Sequence, residues 1–497
     1  FREKDIDIQT TPFSVAGVGD MSGDVFGNGM LLSEKIRLIA AFDHRDIFID
    51  PDPDIEKSFA ERSRMFALAR SSWQDYDRST LSEGAMIISR TEKSVKLTKQ
   101  AAAAIGLDKL TASPFEILTA ILKSKVDLLW FGGIGTYIKA ASETDTEVGD
   151  RANDPIRITA AEVGASVIGE GANLGVTQKG RIAYSLAGGR CNSDAIDNSA
   201  GVNSSDVEVN IKIALNPAMQ DGRLTRAKRN TLLASMTEDV GHLVLRNNYL
   251  QPLAISLVER KGAANREQLA RLMSVLESEG RLNRKVETLP DDAELADRYA
   301  SGRPLTRPEI GVLVSYSKIV LFDALIDSTI PDDPYLASVL KAYFPAKMQK
   351  AYAADIAGHR LHREIVATAL ANEAINRGGP GFIHMMSDMT GATAANVVKA
   401  LFLVRDGFDL ENIWAEIDQL DGKISGRVQN DLYAQVTRII GIGTYLALQT
   451  QIGTTELTDA IARLRAAIKG LRATVTDDII DETGPLAAEL EAEGAPS

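Results

Sequence analysis

Pro12 to Val18 is an apolar run that empties into Gly17-Val18-Gly19-Asp20-Met21-Ser22-Gly23, and this strand-to-glycine turn most constrains the fold. A strand that ends in clustered glycines and continues as a helix is the opening of a βαβ unit: glycine permits the sharp bend and close packing of helix on strand. The pattern recurs along the first two-fifths of the chain. Ile36 to Phe42 is a second apolar run, ending at Asp43, and Val25 to Leu32 between the two is short enough for a crossover helix. Asp54 to Leu68 has helical spacing through Phe59, Met65 and Phe66, and Ala85 to Ile88 reads as a short strand. Ser113-Pro114-Phe115-Glu116 predicts a helix start, with a Ser cap, Pro in the first turn and Glu three residues after the cap. Val126 to Phe131 is then a strand running into Gly132-Gly133-Ile134-Gly135, and Ser166 to Gly169 repeats strand then glycine. Strands alternating with helices predict an α/β domain of doubly wound, Rossmann type with a mostly parallel sheet and its ligand loops at the carboxyl ends of the strands.

The character changes near residue 206. Ser205-Asp206-Val207-Glu208 reads as another capping box, and helical periodicity runs from there to the end. Thr306-Arg307-Pro308-Glu309 caps a helix carrying Ile310, Leu313 and Val314, and Asp333-Pro334 starts the next. His359 to Asn372 and Ala394 to Val404 are further helices, with Gly378-Gly379-Pro380-Gly381 between them. We therefore expect residues 1–220 to form the sheet domain and 221–497 an all-α domain, with an acidic, Ala-rich tail after Thr483 that frays. The 497-residue length supports two or more cores.

Composition excludes several classes. A net charge of −13 argues against a nucleic-acid surface, which needs clustered Lys and Arg. No apolar run approaches the roughly 20 residues that span a bilayer, and Phe1-Arg2-Glu3-Lys4-Asp5 has no export signal. Cys191 is the only cysteine, which precludes an intrachain disulfide and fits a reducing cytoplasm. Of five histidines, His359 and His362 are three apart on a helix, but no carboxylate-and-histidine set completes a metal site, so no metal is expected. There is no phosphate-binding Walker motif and no Gly-x-Ser-x-Gly elbow.

What remains is the chemistry of the glycine loops. Gly17, Gly19 and Gly23 suit a dinucleotide pyrophosphate, though the spacing is one residue longer than usual. Asp43, 24 residues after Gly19, ends the next strand, where a carboxylate accepts from an adenosine ribose and repels a 2′-phosphate; that favours NAD over NADP. Asp50 is a lesser candidate for the ribose. Asp20 and Asp24 are odd beside a pyrophosphate and read as helix caps or solvent-facing groups. Gly132 and Gly133 let backbone lie close to a flat ligand. Asn173, in Gly169-Glu170-Gly171-Ala172-Asn173, and Asn198, in Asp197-Asn198-Ser199-Ala200-Gly201-Val202, offer amides to the nicotinamide half, although Asn beside small residues is also an ordinary turn signal.

Glu170-Gly171-Ala172-Asn173, Thr177, Asp194, and Asn198 to Val202 leading to Ser205 and Glu208 resemble the cofactor domain of glutamate dehydrogenases. Gly17 to Gly29, Asp127 to Tyr137, Val148 to Asp154, Leu305 to Glu309 and His359 to Ile365 resemble one branch, the very large bacterial NAD-specific enzymes. The resemblance runs across nearly the whole chain. It implies that Gly17, Gly19 and Gly23 meet the pyrophosphate, Asp43 the adenosine ribose, Gly132 and Gly133 the cofactor flank, and Asn173 and Asn198 the nicotinamide half. Ser205 matches the family serine that reaches the distal carboxylate of glutamate. The implied reaction is oxidative deamination of L-glutamate to 2-oxoglutarate and ammonia, in a homo-oligomer. Family members hold substrate with lysines and use a further lysine and an aspartate for acid/base chemistry, all before the cofactor domain; those catalytic residues are expected upstream of Phe1, and a start at Phe rather than Met implies a piece of something longer. Two rivals remain: a dehydrogenase of another amino acid, such as leucine or valine, and a helical scaffold or regulatory protein that merely binds NAD.

Overall fold

The computed structural model describes residues 1–450, 456–472 and 486–495. Six strands form the main sheet: β1 (Phe13–Val18), β2 (Ile36–Phe42), β3 (Asp46–Ile49), β4 (Met86–Ser89), β5 (Leu128–Phe131) and β6 (Val167–Glu170). Their spatial order is β6-β5-β1-β2-β3-β4. β6, β5, β1 and β2 are mutually parallel, whereas β3 and β4 continue the sheet antiparallel. The sheet is thus mostly parallel, with an antiparallel edge that the sequence reading missed. The omission is β3: only Asp43, His44 and Arg45 separate it from the end of β2 at Phe42, so it looks like a continuation of one apolar run.

Alternation along the strands divides the buried side chains between two cores, as a sheet covered on both faces requires. Val15, Leu38, Ala41 and Phe48 join Phe26 of helix α1 (Asp24–Gly29) and Met65 of α2 (Ile55–Ala67). Ala16, Val18, Ala40, Phe42 and Ile47 instead meet Ile117, Leu118, Ile121 and Leu122 of α3 (Pro114–Lys123). The start of α3 is the expected capping box, with Ser113 and Glu116 exchanging side-chain and backbone hydrogen bonds. Further on lie α4 (Gln178–Leu186), the short α5 (Asp194–Asp197) and α6 (Ser199–Gln220).

The chain divides into two compact units. The first holds Phe1, Ile6–Ser199 and a distant return segment, Leu305–Gly311; the second holds Arg2–Asp5, Ala200–Pro304 and Val312–Ser497. Among its described residues the second unit holds helices joined by turns and loops, and no strand. At its centre α7 (Ala394–Gly407), with Val397, Leu401, Phe402 and Val404 buried, packs against α8 (Gly426–Gln449) and α9 (Leu457–Arg472). The amino-terminal residues belong here too: Arg2 Nε donates to Gln429 Oε1 at 2.9 Å, and Asp5 Oδ1 accepts from Gly426 N at 2.6 Å.

Two local expectations are corrected. Ser205 caps nothing, because α6 is already helical from Ser199 onward and the amides around Ser205 are committed within it. The tail does not simply fray: residues 486–492 are helical, and Leu490 and Ala495 pack on Val428. Alanine, leucine and glutamate favour a helix that the apolar contact then holds. Residues 484, 485, 496 and 497 of that tail lie outside the described residues.

Candidate functional site

β1 occupies the reversal point of the sheet, since the chain goes from it to β2 on one side and much later adds β5 on the other. Loops leaving the carboxyl ends of strands at such a point diverge and open a crevice. The sequence-selected residues follow this edge in order: Asp43 after β2, Gly19 after β1, Gly132 and Gly133 after β5, and Asn173 after β6. Asp50, by contrast, ends the antiparallel β3 at the opposite edge, where it is buried and accepts the Ser82 hydroxyl.

Gly17 at the end of β1, Gly19 and Gly132 all close on one residue, Phe26. A Cβ at Gly17 would fall 2.8 Å from the Phe26 ring, one at Gly19 2.6 Å from Phe26 Cβ, and one at Gly132 2.6 Å from Phe26 Cα. Helix α1 therefore lies against the ends of β1 and β5 at a separation that only glycine allows. Gly19 also has φ +143°, closed to side-chain-bearing residues. Its peptide is fixed on both sides: its N–H donates to Phe42 O at 2.7 Å, and its carbonyl accepts from Trp73 Nε1 at 3.1 Å. Gly23 and Gly133 are different. A Cβ at either one would meet nothing closer than 3.4 Å, ordinary contact distance, so packing does not require glycine there.

Asp20 does not cap α1, whose N-cap is Gly23 with no side-chain acceptor; it closes the turn before the helix. Its Oδ1 accepts from Ser22 N at 2.9 Å, Ser22 Oγ at 2.6 Å and Gly23 N at 3.0 Å, while Asp24 faces solvent. Asp43 Oδ1 accepts from the amides of Arg45 and Asp46, both at 2.7 Å, and so shapes the β2–β3 turn. Its Oδ2 is buried with no protein hydrogen-bond donor; Arg45 Nη2 stands 3.7 Å from it and 3.6 Å from Asp20. Burial, with the Asp20 carboxyl beside it, pushes the Asp43 carboxyl above the ordinary range. Asp20 is partly buried too, but the hydrogen bonds from Asp43, Ser22 and Gly23 outweigh that and hold it low. When the pair takes up a proton, Asp43 takes it first.

At the far end of the edge the two candidate asparagines meet, with Asn198 Nδ2 donating to Asn173 Oδ1 at 2.9 Å. Asn173 is exposed and Asn198 half-buried as the C-cap of α5. Beneath them lies a charged network that sequence reasoning missed. Glu170, fully buried at the end of β6, accepts from Arg181 Nε at 2.6 Å and Nη2 at 2.9 Å, and from Val176 N at 3.1 Å. Burial pushes the Glu170 carboxyl up to about 7 against the pull of Arg181. Its own N–H donates to Asp197 Oδ2 at 3.1 Å, and Asp197 Oδ1 accepts from Asn192 Nδ2 at 2.8 Å. Arg307, on the return segment, donates to Asn192 Oδ1 at 2.9 Å. No periodicity marks such residues; the only cue was a pair of opposite charges, Glu170 and Arg181, at otherwise apolar positions. Cys191 lies buried close by, its thiol pushed up to about 12 by burial, which suits a packed side chain and no nucleophile.

Ser205 stands exposed in the interior of α6, in the second unit. Among the described residues, one group of three side chains could share a cation, Asp20, Asp43 and His44, and Arg45 already lies against its two carboxylates. His359 is engaged elsewhere: Nδ1 accepts from Leu361 N and Nε2 donates to Asn210 O.

These features define a mixed α/β protein with a mostly parallel sheet, its loops gathered along one edge, and a large helical part. Residues 1–258 match the family described as bacterial NAD-glutamate dehydrogenase, catalytic domain, and residues 302–496 match glutamate dehydrogenase, C-terminal. The chain belongs to the bacterial NAD-glutamate dehydrogenase family. It is 47% identical over 439 residues to the NAD-specific glutamate dehydrogenase of Pseudomonas aeruginosa, covering 88% of this chain and 27% of that protein. The Halomonas elongata enzyme of the same name is 45% identical over 464 residues (93% and 29%), and that of Mycobacterium tuberculosis 42% over 509 (100% and 31%). The chain thus spans less than a third of the length of these relatives.

Proposed function

We propose that this chain forms the cofactor-binding part of an NAD-dependent glutamate dehydrogenase, acting in the oxidative deamination of L-glutamate to 2-oxoglutarate and ammonia. The observation that carries the reading is the alignment of Asp43, Gly19, Gly132, Gly133 and the bonded Asn173–Asn198 pair along one sheet edge. The fit to the dinucleotide rests on two details. Asp43 Oδ2 has no protein hydrogen-bond donor, which leaves an acceptor for a ribose hydroxyl, and Gly133, unlike Gly132, is not pressed against Phe26. Gly17, Gly19 and Gly23 would form the pyrophosphate turn, while Asn173 and Asn198 would hold the ribose and carboxamide of the nicotinamide half. NAD, when bound, accepts the hydride from Cα of glutamate. The residues here contribute positioning, which can supply several kcal/mol of a barrier by fixing the reacting atoms. We assign no catalytic acid or base among them.

In this reading the sheet domain is of the doubly wound dinucleotide-binding type over 1–220, with the helical domain over 221–497. Ser205 reaches the distal carboxylate of glutamate. The protein is a cytoplasmic homo-oligomer with no nucleic-acid or membrane partner; no helix of the described residues is long and apolar enough to cross a membrane.

Isothermal titration of the full chain with NAD and NADH tests the proposal. Heat with a 1:1 end point, lost in Gly19→Val and Asp43→Ala, is the expected result; no heat with either nucleotide rejects it. Light scattering during size exclusion tests the oligomer, which a monomer mass overturns.

A further inference from the structure

Asn173 and Asn198 come from different loops, so something must set their separation. Asn198 is held by its own short helix, its N–H donating to Asp194 O at 2.8 Å. Asn173 sits one residue before Leu174, whose φ of +63° is a left-handed conformation that a branched side chain rarely adopts. The Leu174 N–H donates to Asp194 Oδ2 at 3.0 Å. Both loops therefore hang on one aspartate, and the Asn198–Asn173 amide bond closes the ring. Asp194 is itself anchored: its Oδ2 lies 3.2 Å from Arg181 Nη2, and Arg181 is fixed by the buried Glu170. Its other oxygen accepts from Ala195 N at 2.8 Å. A carboxylate so placed does two things at once: it stabilises the strained turn beside Asn173 and neutralises one face of a buried guanidinium.

We propose that Asp194 is a positioning residue that sets the spacing of the Asn173–Asn198 amide pair, and through it the grip on the nicotinamide end of the dinucleotide. This rests on the reading of those two asparagines given above. Without the carboxylate, Leu174 loses the acceptor that holds its turn, and Asn173 is released from Asn198. The adenosine end, at Asp43 and Gly19, is served by other strands and keeps its geometry.

The test compares two probes on the full chain: NADH, and ADP-ribose, which lacks the nicotinamide. Wild type is expected to bind NADH more tightly than ADP-ribose. Asp194→Ala is expected to weaken NADH about tenfold, the scale of one lost charge-assisted hydrogen bond, with ADP-ribose affinity unchanged. Asp194→Asn keeps an acceptor for Leu174 N–H and is expected to lose about threefold, again on NADH alone. Equal NADH and ADP-ribose affinities in both variants and wild type alike, or a parallel fall of both probes in Asp194→Asn, overturns the proposal. Should Asp194→Ala fail to fold, seen as loss of ADP-ribose binding, Asp194→Asn decides. Failure of wild type to bind either probe instead rejects the cofactor reading itself, so the two outcomes are distinct.

Discussion

Phe26 shows how much a single side chain can decide at this site. Its ring occupies the space that Gly17 and Gly19 leave open and its backbone lies against Gly132, so the glycine turn is a socket for the protein's own helix. Phe26→Ala is expected to cost about 3–5 kcal/mol in urea unfolding, the range for a buried aromatic cavity. Gly132→Ala is expected to cost about 1–3 kcal/mol by overpacking, and to cost as much in a Phe26→Leu background, because the added Cβ meets the Phe26 backbone and Cβ, which leucine keeps. Lys318 carries a different signature. Burial pushes its ammonium down to about 7, with Gln251 Oε1 at 3.3 Å as acceptor. The folded state thus binds fewer protons than the unfolded chain between about pH 7 and the ordinary lysine value near 10.4, so stability rises with pH across that window and is lowest below 7. Lys318→Met is expected to raise the melting temperature at pH 6 and to flatten the slope above pH 7, as differential scanning calorimetry would show. Residues of this kind were not legible beforehand: Asp43 was marked by the end of an apolar run and the asparagines by small residues beside them, whereas Glu170, Arg181 and Lys318 act through burial, which no linear pattern encodes.

Elements were read more completely than residues, because apolar runs and caps are local signals. β1, β2, β4, β5, β6 and the Ser113 cap all fall where periodicity and capping place them. Ser113→Ala is accordingly expected to lose about 1 kcal/mol, measurable by chemical denaturation. Two misreadings share a cause, in that a neighbouring element extends through the local signal. β3 vanished into the apolar run of β2, and the Ser205 box lay within a helix that had begun at Ser199. A capping motif has meaning only if the preceding residues are not already helical, and that is decided by tertiary packing around Val207 and Ile211.

At the scale of the molecule, the return segment Leu305–Gly311 matters most, since it belongs to the first unit although it lies beyond the first stretch of the second. Through Arg307 it supports Asn192 and Asp197, one shell behind the asparagine pair. A polypeptide of residues 1–220 is therefore expected to melt lower than the same piece with residues 305–311 appended through a flexible linker, and equal melting temperatures would contradict this. The arrangement also bears on how the chain is made. The amino-terminal unit is short of one strip when Ser199 leaves the ribosome, and the missing strip is translated about a hundred residues later. During that interval Asn192 and Asp197 have no Arg307, so maturation of the sheet unit must wait for synthesis of a stretch destined for its neighbour, and the order of assembly is written into the order of translation.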